Sequence, residues 1–461
     1  MNRTLITLLA FMLIAFGAFA QVSFDNVRLG FEPKGGVLST GILGENITAG
    51  ELVKANEYFA VQAANPDVMP TSEGYGCAIS ADKEFAYFGG LWSGLNHIAY
   101  KRDSCQQSYR KVDIQGITTG DTGFDAAFSS DGSMLVISGN FTATEKFYSF
   151  KWSEANDRFE KTAAASGNVP TGTAFHCGLS ADGTRLAVSN AYDTTPGVRR
   201  LFSYTWSEVN NRFEETAAPD IEPNDRTYGL AMSGDGEFVA VCAAKSPYLY
   251  TYKWSSGNNR YEKTANANKD GVFYGYDVAM SNDGGFLVLA MTGSPYLRSY
   301  KWSAGNNRYE VTTAPNVLPS GQARGIGMST DGSVICVGSS GAFDNVRNYL
   351  WDAGDNRYEV TASATLTILT NIRGAAMSGD GKTFVMAHES SDAAYPYFTV
   401  FYTNTPNNSY QITKFANPLG ATENFSLSTV FFGYLKRGGY RGTVQPVSCV
   451  WWRTRGASAL D

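Results

Sequence analysis

Histidine is scarce in this chain of 461 residues. There are three, His97, His176 and His388, too few for a His-rich metal cluster. The sequence also lacks a G-x-S-x-G nucleophile elbow and a phosphate-cradling P-loop. Charged residues make up only 17%, and Lys+Arg 37 against Asp+Glu 43 leaves a net charge of −6. That balance gives no electrostatic footprint for nucleic acid. Low charge density with 43% hydrophobic residues argues against disorder. Beyond the N-terminus no apolar run is long enough to cross a membrane.

Glycine and aromatics are abundant, which suits many short strands joined by tight turns. The N-terminus reads as a secretory signal over residues 1–20. Arg3 supplies the basic end, Leu5 to Phe16 the apolar stretch, and Ala18-Phe19-Ala20 the small-x-small cleavage site. Residues 21–55 follow as a Gly-rich segment with strand-like fragments.

A repeat then takes over, and its period decides the architecture. The clearest copy runs from Tyr228 to Thr264, the next from Tyr276 to Thr312. The first marker is a Ser-x-Asp turn between two apolar strands, with Asp82, Asp131, Asp182, Asp235, Asp283, Asp331 and Asp380 spaced 48 to 53 residues apart. Gly follows the Asp in all but the first, where Lys83 stands. Gly accepts positive φ and Asp bonds nearby backbone, so these read as hairpin turns. They lack the clustered oxygens that calcium needs. The second marker is Asn-Asn-Arg-aromatic-Glu and its variants, preceded by the pairs Phe150/Trp152, Tyr204/Trp206, Tyr252/Trp254, Tyr300/Trp302 and Tyr349/Trp351. Strand spacing puts both rings of a pair on one face, where they are expected to pack neighbouring sheets rather than stack on carbohydrate. The first and last copies depart, with Tyr100/Arg102 and Phe401/Thr403.

Each unit supplies four up-and-down strands; in the clear copy these fall near Tyr228–Ser233, Glu237–Val241, Tyr248–Trp254 and Arg260–Thr264. The chain resembles a seven-bladed β-propeller of the WD-repeat-like kind, although the Trp-Asp and Gly-His signatures of true WD repeats do not recur. The fold class expected is therefore all-β, with the propeller at 56–414. Six or eight blades are the rival counts. An eighth copy of the outer-strand pattern, NEYFAVQAANPD from Asn56, either closes the ring by adding to the last blade or belongs to the flank. Residues 415–461 leave the repeat and read as strands with Gly turns. NITAGELVKAN and FFGYLKRGGYRGTVQPV are similar to the halves of small β-barrel domains in phage capsid and tail proteins. The motifs GSPYLRSYKWS and NVLPSG resemble propeller repeats of phage virions. The flanks together are expected to form a small β-domain, a route to homo-oligomers.

Of the six cysteines, Cys77 and Cys177 align with Leu230, Cys336 with Ala240, and Cys242 lies on the same strand. These read as small core residues. Cys105 and Cys449 remain, enough for one bridge and no framework.

Up-and-down topology sorts the loops. The Asp-Gly and Asn-Asn turns fall on one face of the disc. The varied loops, near Leu91, from Asn190, from Ser339 and from His388, fall on the other, which is the expected binding face for a protein or glycan. On the inner strand, four residues before each marker Ser, stand Gly76, Asp125, His176, Gly229, Asp277, Gly325 and Gly374. One earlier stand Tyr75, Phe124, Phe175, Tyr228, Tyr276, Arg324 and Arg373. Asp125, His176 and Asp277, with Arg324 and Arg373 across from them, are the candidate channel residues. The sequence favours a wet structural channel over carboxylates acting as general bases or metal ligands. No catalytic set, metal or cofactor is expected.

The resulting expectation is a non-catalytic extracellular binding or structural propeller, either on a virion at a tail or capsid surface or secreted to a cell surface. It has no nucleic-acid partner and no membrane span after signal removal. The rival is a secreted lactonase-like propeller hydrolase.

Overall fold

The computed structural model describes residues 60–403 apart from 63–65, 72, 91–96, 104–107, 118–120, 142–144, 192–196, 269–272, 341–345, 362–370 and 390–396. They lie within one compact unit that takes in Glu57–Thr405. The signal segment, the flanking segments 21–55 and 415–461, Cys105, Cys449 and most of the four varied loops lie outside the described residues.

The chain folds as an all-β propeller of four-stranded blades. Five sheets have four strands, and one has eight. In the clear repeat the strands are Thr227–Met232, Phe238–Ala243, Leu249–Ser255 and Arg260–Lys263. They pair antiparallel in chain order, from the inner strand to the outer. The eight-stranded sheet holds two such meanders. Their outer strands, Ser108–Ile114 and Arg158–Lys161, meet in a short parallel contact through Asp113↔Arg158 and Ile114↔Phe159. The eighth outer-strand copy takes the first of its two expected roles. Ala60–Gln62 pairs antiparallel with Phe398–Thr403 and completes the last sheet. One sheet is thus built from both ends of the repeat region, and the seam is held by more than backbone. Phe398 stacks on Tyr100 at 5.3 Å, and Lys83 pairs with Asp380 at 2.8 Å.

The inner strands are Gly74–Ile79, Thr122–Phe128, Thr173–Leu179, Thr227–Met232, Gly275–Met280, Gln322–Met328 and Ile372–Met377. Each packs on the next, and the last packs on the first. Of the second strands, Phe85–Gly90, Phe238–Ala243 and Thr383–His388 are buried along their whole length, and the others along all but their ends. Both of their faces are covered, so they read as continuous apolar runs. Cys77, Cys177, Cys242 and Cys336 are free and buried, as core positions require. The third-strand pairs hold neighbouring sheets together. Phe150, Tyr204, Tyr252, Tyr300 and Tyr349 are fully buried. Trp152 packs on Phe159 at 5.1 Å and on Phe85 of the preceding meander at 4.8 Å, under the Lys101 ammonium at 4.7 Å. Lys151, Arg185 and Lys301 cover Trp206, Trp254 and Trp351 in the same way. A cation over an indole face is worth about 0.5–2 kcal/mol.

Both recurring turns are self-contained. In each Ser-x-Asp turn the Ser hydroxyl donates to Asp Oδ1, at 2.6 Å in Ser233–Asp235. The same Oδ1 accepts the N–H two residues on, Glu237 at 2.9 Å, while Ser233 Oγ accepts from Phe238 N–H at 2.8 Å. Gly236 follows at φ 68°, and Lys83 holds the same left-handed conformation at φ 61° in the first copy. The Asn-Asn-Arg turns place their second residue, Asn211, Asn259, Asn307 or Asn356, at φ 47–52°. Where the first residue is Asn, it donates to the Glu of Arg-aromatic-Glu, as Asn258 does to Glu262 at 2.6 Å.

The turns also link to one another. Ser130 N–H donates to Ala181 O, Ala181 to Gly234, Gly234 to Asn282, Asn282 to Thr330, Thr330 to Gly379 and Gly379 to Ala81, all at 2.7–2.9 Å. Asp82 N–H to Ser130 O at 3.3 Å completes a closed circle of backbone hydrogen bonds at this end of the channel.

Candidate binding site at the channel mouth

The other end of the channel is built from one irregularity repeated in each inner strand. The register against the second strand shifts between Gly74 and Gly76, Gly123 and Asp125, Ala174 and Cys177, Thr227 and Leu230, Gly275 and Asp277, Ala323 and Gly325, and Ile372 and Gly374. A β-bulge adds an unpaired residue and re-aims its side chain. The residues in these bulges include Tyr75, Phe124, Phe175, Tyr228, Tyr276, Arg324 and Arg373.

Those side chains form a collar, and each is half-buried. Tyr75 meets Phe124 edge-on at 5.6 Å, and Phe124 stacks on Phe175 at 4.8 Å. Phe175 meets Tyr228 at 6.4 Å, and Tyr228 meets Tyr276 at 6.3 Å. Arg324 lies over Tyr276 at 5.2 Å and Arg373 over Tyr75 at 4.6 Å, so cations flank both ends of the aromatic arc. Tyr274 packs on both Tyr228 and Tyr276 at 5.7 Å. Beside it, Phe273 is 42% exposed. Arg373 Nη2 donates to Glu389, which also accepts from Asn371 at 2.7 Å. Burial raises the Glu389 carboxyl, but Asn371, Arg373 and Arg324 together bring it below the usual carboxylate value. Arg324 reaches Gln322 at 3.5 Å, and its Nε is buried without a hydrogen-bond partner.

One residue deeper lie Asp125, His176 and Asp277. Asp125 Oδ2 accepts from His176 Nδ1 at 3.2 Å and from Cys177 N–H at 3.1 Å. Asp277 accepts from Val278 N–H at 2.8 Å and, across to the next inner strand, from Ile326 N–H at 2.9 Å. Each aspartate therefore ties one inner strand to its neighbour. Where the row carries glycine instead, the neighbouring backbone approaches closely. A Cβ on Gly229 would stand 2.6 Å from Asp277 Cα, and one on Gly76 would stand 2.3 Å from Phe124 O. Burial pushes the Asp277 carboxyl up to about 6, against the pull of His176 and its backbone donors. Burial opposes charge on His176, but the Asp125 carboxylate, helped by Asp277, lifts it above the ordinary imidazole value. Burial alone lowers His388 to about 4. It also lowers His97 to about 4, against its bond to the Asp121 carbonyl.

The structure thus brings Asp125 and His176 together and sets Asp277 in an equivalent bridging role. Arg324 and Arg373 belong to the collar rather than facing the aspartates as partners. Among the described residues, three metal-capable side chains converge only at Asp352, Asp355 and Glu359. There Arg357 already pairs with Asp355 and Glu359 at 2.7 Å. Sequence reasoning found the collar row but not its geometry. The signal it offered was a glycine beside every varied residue except Phe175, since glycine inside a strand marks a bulge or a close approach.

Towards the opposite end, a cavity of about 270 Å³ runs down the axis. Its wall includes Ala78, Ala127, Gly178, Ala231, Ala279, Gly327 and Ala376, small residues where the inner strands converge.

No family model matches the chain, and no curated protein matches it. Among solved structures 1594 chains are similar, so the fold is too widely shared to choose an activity. One is the structure of U3-55K, 11% identical, with the likeness covering 76% of this chain and 99% of that one at a TM-score of 0.51. At that identity the likeness speaks to the fold alone, a WD-repeat-like β-propeller.

Proposed function

We propose that the chain is a non-catalytic extracellular binding propeller of seven blades that engages its ligand at the collar. The blade count follows from treating the eight-stranded sheet as two blades joined through Asp113↔Arg158 and Ile114↔Phe159, and Ala60–Gln62 as the outer strand of the last blade. The observation that carries the function is the collar itself. At the Ser-x-Asp end the copies are nearly identical, and their polar groups bond to each other. At the collar the copies differ, and their side chains stay half-exposed. Function on a rigid scaffold collects where copies vary, and a site of aromatic side chains with a few charged groups is the usual composition of a ligand site.

A hydrolase finds less support, because both candidate carboxylates accept backbone N–H groups of the next strand. The setting, virion or secreted surface protein, rests on the signal-like N-terminus and the phage-like resemblance of flanks and repeats.

The test is binding of the full chain to arrays of glycans and of peptides, beside a Phe124→Ala/Tyr228→Ala variant. A signal on either array that the variant loses is the expected result. Arrays on which the variant matches the wild type would sink the collar as a binding site. Turnover of a lactone that Asp125→Ala/Asp277→Ala abolishes would favour the enzyme instead. For the setting, mature protein beginning at Gln21 is expected; an intact Met1 would remove export.

A further inference from the structure

Resting on that reading, we infer that the collar binds an acidic sugar, a glycan unit whose ring carries a carboxylate. Three features of the mouth point there together. The first is the arc of Tyr75, Phe124, Phe175, Tyr228 and Tyr276, extended by Tyr274. Most of these rings are phenols, so each offers an apolar face with a polar rim. A pyranose has the matching form, a C–H face edged by hydroxyls.

The second is charge. Arg324 and Arg373 stand over the two ends of the arc, and Glu389 is the acidic partner of Arg373. Arg324 has an amide oxygen at 3.5 Å and an unpartnered Nε. A guanidinium donates in a fixed fork that fits a carboxylate. The third is shape. The rings are half-exposed around a mouth rather than lining a closed pocket, which suits a flat ring laid across them. A nucleic acid would also stack, but it needs a basic groove that tracks its backbone, and this chain carries a net charge of −6.

The experiment uses the full chain on an array of sialosides and oligouronates, each beside its neutral counterpart, with titration of the strongest carboxylated probe. Signal confined to the carboxylated members is expected. Removing the carboxylate should weaken binding at least tenfold, and Arg324→Gln should do the same. Phe124→Ala and Tyr228→Ala should each cost a similar factor while the fold is kept, the melting temperature falling by no more than about 2–4 °C. The assignment is overturned if no carboxylated glycan binds the folded wild type, or if Arg324→Gln binds as tightly as the wild type. If neutral glycans or peptides bind instead and the ring variants lose them, the acidic-sugar assignment falls and the collar remains a binding site. If nothing binds that the ring variants affect, both fall.

Discussion

The two ends of the central channel are made by the same inner strands and follow opposite rules. At the Ser-x-Asp end, every copy repeats one set of bonds, and the turns join in a circle of backbone hydrogen bonds. The polar groups there are consumed by the fold. At the collar end, each strand bulges, and the residue turned outward differs from copy to copy in ring, hydroxyl and charge. Recurrence therefore marks what the propeller needs in order to close. Variation on a recurring backbone marks what it can use.

The sharpest way to break that contrast lies one residue below the collar, where variation stops being free. Gly229 faces Asp277 Cα, and a Cβ there would sit at 2.6 Å. Gly229→Val should force the neighbouring inner strand aside and cost about 3 kcal/mol, read as a fall in denaturant midpoint. A loss well under 1 kcal/mol would mean that the inner strands do not approach this closely. At the opposite end, Ser233→Ala removes a donor to Asp235 and leaves Phe238 N–H buried without its acceptor. The expected loss is about 2 kcal/mol, from a single hydroxyl among copies that look redundant. A variant as stable as the wild type would show that the copies support one another.

The two ends should also differ in the sign of their pH dependence. Asp277 titrates at about 6 in the fold because burial disfavours its charge, against about 4 for an unperturbed carboxyl. Its stabilising contribution is present below pH 4 and is lost as pH rises through 6. Asp277→Asn has no such loss, so its stability relative to wild type should climb by roughly 2 kcal/mol between pH 4 and pH 8. Asp331 behaves in reverse. Burial raises it, but Ser329 and Ser333 bring it below the usual carboxylate value. Its contribution is present above the ordinary carboxylate pKa and is lost as pH falls through the lower folded value. Asp331→Asn should therefore lose ground to wild type as pH rises through that acid window. Parallel slopes for the two variants, from denaturation at several pH values, would erase the distinction.

Much of this was legible in the sequence. Spacing of the Ser-x-Asp turns gave the strands of the clear repeat to within about two residues, because turn chemistry and alternation are local. The structural role of Tyr252 and Trp254 was legible because it recurred. The bulges were not, since a bulge is a relation between two strands and the sequence shows one at a time. The pairing of Ala60–Gln62 with Phe398–Thr403 was legible only as one of two roles for the eighth outer-strand copy, because local pattern does not choose between partners more than 300 residues apart. The sequence singled out Asp125 and Asp277 as channel residues and favoured a wet structural lining over chemistry. Their acceptance of Cys177 and Ile326 N–H groups depends on the bulge, so the strand-to-strand tie was not legible.

The smallest expected effect tests the collar as surface rather than scaffold. Phe124 is the second ring of the arc, edge-on to Tyr75 and stacked on Phe175. If the row were core, Phe124→Ala would cost 3–5 kcal/mol, the range for a buried Phe. Its ring is half-exposed, and what it contributes to the fold is two aromatic contacts at about 0.5–1.5 kcal/mol each, part of which the neighbours recover by closing over the gap. The expected loss is about 1 kcal/mol, a third of that for Gly229→Val two inner strands on, even though the deleted group is far larger than the valine side chain added there. Measuring both variants in the same denaturant series decides the matter: comparable losses would return the collar to the scaffold, and a threefold difference keeps it as a surface the fold holds out for a ligand.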